Sequence, residues 1–277
     1  MNTICLINMK GGVGKTTLTI NIADFLSKRE NKKVLIIDID PQFNSTQCLF
    51  SGEEYVRYLQ EDKDTILKIF DDTVKRKIST VSGSTHVQVE LKNIKPHKIT
   101  EKLHILPGNL ELYKLEMASG SGKENKLKQY IEEICKIENY DYILVDTPPT
   151  PSVWMTSALI ACDSYLIPVK PDPMSFVGID LLENIVEQKK ESYNLDIKCL
   201  GLIFTMVERN DSIVYQNALS NVRSDEKWKG LLFNKYVPKR TEIARLQLEK
   251  RFILDSNDTF AKSSLSGIVK ELIERLI

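Results

Sequence analysis

The chain has 277 residues, 38 lysines and arginines against 38 aspartates and glutamates, and 42% hydrophobic side chains. That apolar content supports a sizeable core and excludes wholesale disorder, while zero formal charge excludes a globally basic polymer binder and leaves only a local patch for nucleic acid. No apolar run approaches the ~18 residues of a membrane span, the N-terminus lacks a secretory leader, and five scattered cysteines without a C-x-x-C pair read as reduced thiols, so a cytoplasmic protein is expected.

In chain order, short apolar runs at Ile4–Asn8, Val34–Asp38, Leu103–Leu106, Tyr142–Asp146, Tyr165–Val169 and Leu200–Thr205 predict buried strands. Amphipathic stretches at Lys15–Lys28, Lys123–Glu138, Ser175–Lys190 and Phe260–Leu276 predict helices. This alternation predicts an α/β fold, a mostly parallel sheet with helices on both faces, in a single domain over 1–277. Residues 71–102 break the rhythm. They are polar, rich in Lys, Ser and Thr, and carry His86 and His97 outside any metal-ligand spacing, so an exposed insertion is expected there.

The sharpest signal is Lys10-Gly11-Gly12-Val13-Gly14-Lys15-Thr16-Thr17, between the first strand and the first helix. A tight glycine turn bares successive backbone N–H groups, and the helix N-terminus adds partial positive charge, so phosphates settle there. Lys15 can reach the β- and γ-phosphates of ATP, and the Thr16 hydroxyl can ligate Mg²⁺. The ordinary phosphate-loop motif wants a glycine where Met9 stands; here Gly11 and Gly12 follow a second lysine, Lys10.

Two acidic motifs close predicted strands, where parallel α/β sheets place their ligands. In Asp38-Ile39-Asp40-Pro41-Gln42, extended alternation puts Asp38 and Asp40 on one side. Asp38 is expected to support the Mg²⁺ shell and Asp40 to position the attacking water; capping of a turn, or of a helix beginning near Asn44, is the alternative for both. Asp146, in Tyr142-Ile143-Leu144-Val145-Asp146-Thr147-Pro148-Pro149, is expected to hold Mg²⁺. Thr147 stands where many phosphate-loop ATPases carry a glutamate to orient the water, and threonine is no base.

The lysine-first loop resembles that of the deviant Walker-A ATPases of the ParA/MinD class, and the D-x-D-P-Q motif is similar to theirs. The resemblance extends over nearly the whole chain. It includes Ile105–Leu112, Pro168-Val169-Lys170-Pro171 with Phe176 and Gly178, Phe204-Thr205-Met206, and Val237-Pro238-Lys239-Arg240. It implies that Lys10 reaches across a homodimer to the partner's ATP, and that Met206, Pro238 and Lys239 flank the adenine. The electrostatics agree: two ATP molecules face to face bring roughly eight negative charges together, which demands extra cations. A solvated loop cation is the alternative for Lys10. The resemblance further implies a slow, partner-stimulated hydrolase of the ParA/Soj type, nucleoid-associated, that partitions plasmid or chromosomal DNA with a ParB-like centromere-binding protein.

Residues 223–251 hold nine basic and four acidic side chains, with Trp228, Phe233 and Tyr236 interleaved. Lys235, Lys239, Arg240, Arg245, Lys250 and Arg251 are therefore candidates for nonspecific DNA contact. The rival partner is a membrane, because MinD-like relatives end in an amphipathic anchor and Leu265, Ile268, Val269, Leu272, Ile273, Leu276 and Ile277 form an apolar stripe. Membrane anchors favour a cationic polar face, whereas Lys270 and Arg275 are here balanced by Glu271 and Glu274. The stripe is thus expected to pack into the core or to flank a dimer contact, with no membrane partner.

Overall fold

Alternate residues of the central strands go to opposite cores. Cys5, Leu35, Ile37, Ile143 and Val145 join one buried cluster, and Ile4, Leu6, Val34, Ile36 and Leu144 join the other. A strand covered on both faces has no solvent side to keep polar, which is why these segments read as unbroken apolar runs. The computed structural model describes residues 1–70, 90–117, 122–172 and 175–277.

The elements run β1 (Asn2–Leu6), α1 (Lys15–Lys28), β2 (Val34–Asp38), α2 (Asn44–Leu49), α3 (Gly52–Gln60), α4 (Leu67–Phe70), β3 (His97–Lys98), β4 (Leu103–Leu106) and α5 (Leu112–Met117). They continue α6 (Lys126–Ile134), β5 (Tyr142–Asp146), α7 (Val153–Ala161), β6 (Ser164–Val169), α8 (Ser175–Tyr193), β7 (Lys198–Phe204), α9 (Ile213–Ser224), α10 (Thr241–Leu248) and α11 (Thr259–Arg275). The described strands form one sheet ordered β3-β4-β2-β5-β1-β6-β7, parallel throughout except for β3. The expected α/β sheet is therefore present, and the carboxyl ends of β1, β2, β5, β6 and β7 open on one edge.

Each face is sealed by helices. Leu18, Ile22 and Leu26 of α1 pack with Leu265, Ile268, Val269 and Leu272 of α11 on one side, and Trp154 and Leu159 of α7 with Tyr130 and Ile131 of α6 on the other. Burying one such side chain contributes about 1.5–3 kcal/mol, so Leu265, Ile268, Val269 and Leu272 of the stripe are bound into the core as their spacing suggested, while Ile273 and Leu276 are only partly buried and Ile277 is exposed. Among the described residues no helix is long and apolar enough to cross a membrane.

The structure departs from several of these expectations. The first strand ends at Leu6 rather than Asn8, because the Asn8 side chain leaves the ladder: its Nδ2 donates to Pro168 O (2.8 Å) and its Oδ1 accepts from Lys10 N (2.8 Å). The Lys123–Glu138 stretch begins as a 3₁₀ turn and its α-helix ends at Ile134. The expected insertion is not simply exposed. Residues 71–89, with His86, lie outside the described residues, but Ile94 is buried in the core and His97–Lys98 pairs antiparallel with β4. The His97 ring packs against Phe50, with centroids 4.8 Å apart, so Ile94 and His97 anchor the end of this stretch to the protein, while Lys92, Asn93, Lys95 and Lys98 are exposed.

Candidate ATP site

The glycine loop crosses from β1 to α1 with Gly12 and Gly14 in the left-handed region, at φ 68° and 79°. Such angles are strained for residues with a Cβ, which is why glycine stands there. Val13 is buried and its carbonyl accepts from Thr205 Oγ1 (2.6 Å), tying the loop to the end of β7. Lys15 opens α1 and is also buried; its Nζ donates to Asn8 O at 3.0 Å. Burial lowers the Lys15 pKa, while Asp146 and Asp40 pull it back up.

The predicted carboxylates converge on this loop. Asp146 Oδ2 accepts from Thr16 Oγ1 (2.7 Å) and Ser45 Oγ (2.8 Å). Asp38 Oδ2 accepts from the backbone N and the Oγ1 of Thr46, both at 2.8 Å, so Asp38 does tie down α2. Asp40 Oδ1 accepts from Gln42 N (2.9 Å), which fixes the turn after Pro41. Burial raises all three acids, holding Asp38 well above the carboxylate range, with the facing Asp146 adding to it, and pushing Asp146 up to about 6.

Whether Mg²⁺ fits can be judged from these groups. Asp38 and Asp146 are fully buried neighbours, and Oδ1 of each has no hydrogen-bond partner. Two such carboxylates beside a threonine hydroxyl form a hard oxygen set that suits a divalent cation, and a cation would offset the burial that raises both pKa values and the repulsion from Asp146 that adds to it at Asp38. A triphosphate fits equally well. A cavity of about 280 Å³ is lined by Gly11 to Thr17 with Asp40, Gln42 and Asn44. A second, apolar cavity of about 220 Å³ adjoins it, walled by Leu18, Thr205, Met206, Val237, Pro238 and Lys239. The three residues expected beside the base thus line one wall.

Comparison with known proteins agrees with this geometry. A family model described as an AAA domain matches residues 1–199. The sporulation initiation inhibitor protein Soj of Bacillus subtilis is 31% identical over 215 residues, which cover 77% of this chain and 76% of Soj. The chain belongs to the ParA/Soj family of partition ATPases. The chromosome partitioning protein ParA of Myxococcus xanthus extends the likeness to 98% of this chain and 88% of that protein, at 27% identity. In fold, this partition ATPase superposes on a Borrelia burgdorferi plasmid partition protein bound to AMPPNP, with TM-score 0.79, 22% identity and 99% of each chain covered. It also superposes on a Mycobacterium smegmatis cobyrinic acid a,c-diamide synthase bound to ADP and magnesium, with TM-score 0.72, 18% identity and coverage of 100% of this chain and 95% of that one.

The other predicted residues of this ATPase are placed as follows. Lys10 lies off the cradle: its Nζ pairs with Asp172 Oδ2 at 2.5 Å, and its side chain is 42% exposed. In the basic region, Lys239 pairs with Glu208, Arg240 with Asp258 (3.0 Å), and Arg245 and Arg251 with Glu249 (3.2 Å each), while Lys250 donates to Gln47 O. The stem of Lys235 lies over Gly267 of α11. Several of these acids come from outside residues 223–251, so counting charge along the sequence overstated the cationic excess. Two of the three interleaved aromatics are also not available for stacking on bases, since Trp228 and Phe233 are buried core residues, while Tyr236 is half-buried.

Sequence reasoning missed Asn8, Ser45, Thr46 and Gln247, which hold Lys15, Asp146, Asp38 and Thr17 respectively. For Ser45 and Thr46 a signal existed, because hydroxyl residues opening a helix just after an acidic turn commonly bond back to it. For Gln247 there was none.

Proposed function

We propose that this partition ATPase is a nucleotide-controlled switch. With ATP and Mg²⁺ two copies associate through Lys10, the dimer binds nonspecific DNA on the nucleoid, and a ParB-like centromere-binding protein stimulates the hydrolysis that releases it. Thr16 and Asp146, backed by Asp38, would hold Mg²⁺, which when bound offsets negative charge on the phosphates. Lys15 would bind the same phosphates from within the chain. Asp40 would orient the attacking water, since Thr147 beside Asp146 instead donates to Leu6 O (2.6 Å).

The observation that carries this reading is the position of Lys10. It flanks the cradle yet does not line it, and it sits in a half-exposed ion pair with Asp172. Such a pair is worth about 1 kcal/mol or less, so the ammonium is readily redirected to a neighbouring molecule's phosphates. DNA contact through Lys235, Lys239, Arg240, Arg245, Lys250 and Arg251 rests on exposed cations whose surface partners are weak competitors for phosphate. Its affinity should fall with salt at roughly 0.9 log unit per phosphate neutralised.

Sizing in solution with ATP, ADP or no nucleotide tests the switch. Wild type should dimerise with ATP alone and then retain plasmid DNA. Lys10→Ala should bind nucleotide within about threefold of wild type yet stay monomeric. ATP-dependent dimerisation of Lys10→Ala at the wild-type level would end this assignment.

A further inference from the structure

Gly14, Thr17, Met206 and Gln247 line both the phosphate cradle and the apolar cavity beside it. A nucleotide with phosphates in the first and base in the second must carry its sugar past these four residues. Only Thr17 and Gln247 among them present polar side chains there. Gln247 projects from α10, and its Nε2 donates to Thr17 Oγ1 at 3.0 Å, so its amide nitrogen is engaged. Its Oε1 accepts from the same hydroxyl at 3.4 Å, a long contact that uses one lone pair and leaves the other as a carbonyl acceptor at the junction.

The segments that carry this pair are also fastened to each other. Asn21 of α1 donates to Thr17 O (2.7 Å) and accepts from Ile253 N (2.7 Å), so α1 and the segment after α10 are fastened one turn below Thr17. A fixed carbonyl acceptor beside a sugar matches a hydroxyl donor.

We propose that Gln247 is a specificity-determining residue: its Oε1 accepts a hydrogen bond from a ribose hydroxyl, so that ribonucleoside triphosphates are preferred over deoxy analogues. This rests on the nucleotide reading of the two cavities. A group built to receive a hydroxyl is left unpaired by an analogue that lacks one. Because Gln247 is only partly buried, water softens that loss, and the expected preference is about tenfold rather than the several decades of a sealed site.

The test is equilibrium binding of ATP, 2′-deoxy-ATP and 3′-deoxy-ATP to wild type, Gln247→Leu and Gln247→Ala. Wild type should bind at least one deoxy analogue about tenfold more weakly than ATP. In Gln247→Leu the ratio should collapse to within about twofold of one, through weaker ATP binding, with that analogue nearly unaffected. A structural clamp would instead weaken all three nucleotides alike, and that result overturns the proposal. So does a wild type that fails to discriminate, a measurement independent of how well either variant folds. If wild type binds ATP and both analogues not at all, the nucleotide reading itself fails, which is distinguishable from the loss of discrimination alone.

Discussion

Asp38 and Asp146 end neighbouring strands in direct register, both fully buried, each with one carboxylate oxygen lacking a hydrogen-bond partner. Like charges so placed are costly without a cation, and the cost appears as pKa values raised by burial and, for Asp38, by its neighbour. The chain accepts a stability penalty at the point where its ligand would bind, as functional sites commonly do.

That penalty has a pH signature. A carboxyl raised from 3.8 to about 6 stabilises the fold fully below the unfolded pKa, and that contribution is lost as pH rises through the folded value. Asp24, buried beside Lys28 and likewise pushed up to about 6, acts in the same window. In metal-free urea unfolding, Asp146→Asn should therefore lose less stability between pH 4 and 7 than wild type, by on the order of 1–3 kcal/mol. The slope that remains belongs partly to Asp24. Parallel pH profiles for the two proteins would contradict the raised pKa.

Ser45 holds the same carboxylate. Ser45→Ala removes a 2.8 Å hydrogen bond from a fully buried acid and leaves that lone pair unsatisfied. The expected loss is about 1–3 kcal/mol of stability, with Mg²⁺-dependent nucleotide affinity falling in parallel. Thermal unfolding and nucleotide titration with and without Mg²⁺ measure both; a change in neither would remove Ser45 from the site.

Gly108 is fixed by contact rather than by backbone angle. A Cβ there would lie 2.6 Å from Phe43 Cβ and 3.0 Å from Asp38 Cγ. Gly108→Ala should cost about 1–3 kcal/mol and disturb Asp38, lowering ATPase activity beyond what the stability loss explains. Gly52→Ala is the control: it faces open space in the first turn of α3 and should stay within about 0.5 kcal/mol of wild type.

Lys15 combines burial with a carbonyl anchor and two nearby acids. Lys15→Ala removes the cation that offsets Asp40 and Asp146, so nucleotide affinity should fall at least about a hundredfold, measured by titration. Binding within a few-fold of wild type would mean that the cradle works through its backbone alone.

The sheet, the phosphate loop and the strand-end acids were legible because each depends on neighbours in sequence. Short, β-branched runs such as Val34-Leu35-Ile36-Ile37 read as strands covered on both faces, and Gly11, Gly12 and Gly14 as a tight turn. What stayed hidden depends on partners distant in sequence. Ile94 is a single apolar residue in a polar stretch, and only the core it meets makes it structural. Arg240 reads as a free cation until Asp258 arrives from the start of α11. Gln247 reads as ordinary helix until α10 docks against Thr17, 230 positions earlier.

Asp40 separates binding from chemistry. The residue is 4% exposed and lines the phosphate cradle, and its carboxyl is oriented by Gln42 N; burial raises its pKa, which that hydrogen bond and then Lys15 draw back down. A carboxylate so placed can accept a hydrogen bond from water and align it, but it contributes little to holding phosphates that share its charge. Asp40→Ala should therefore keep ATP affinity within about threefold of wild type while single-turnover hydrolysis slows at least about a hundredfold, leaving an ATP-bound species that persists in sizing experiments. Equal losses in affinity and turnover would instead make Asp40 a scaffold of the turn after Pro41, and the water would have to be positioned by another group lining the cradle.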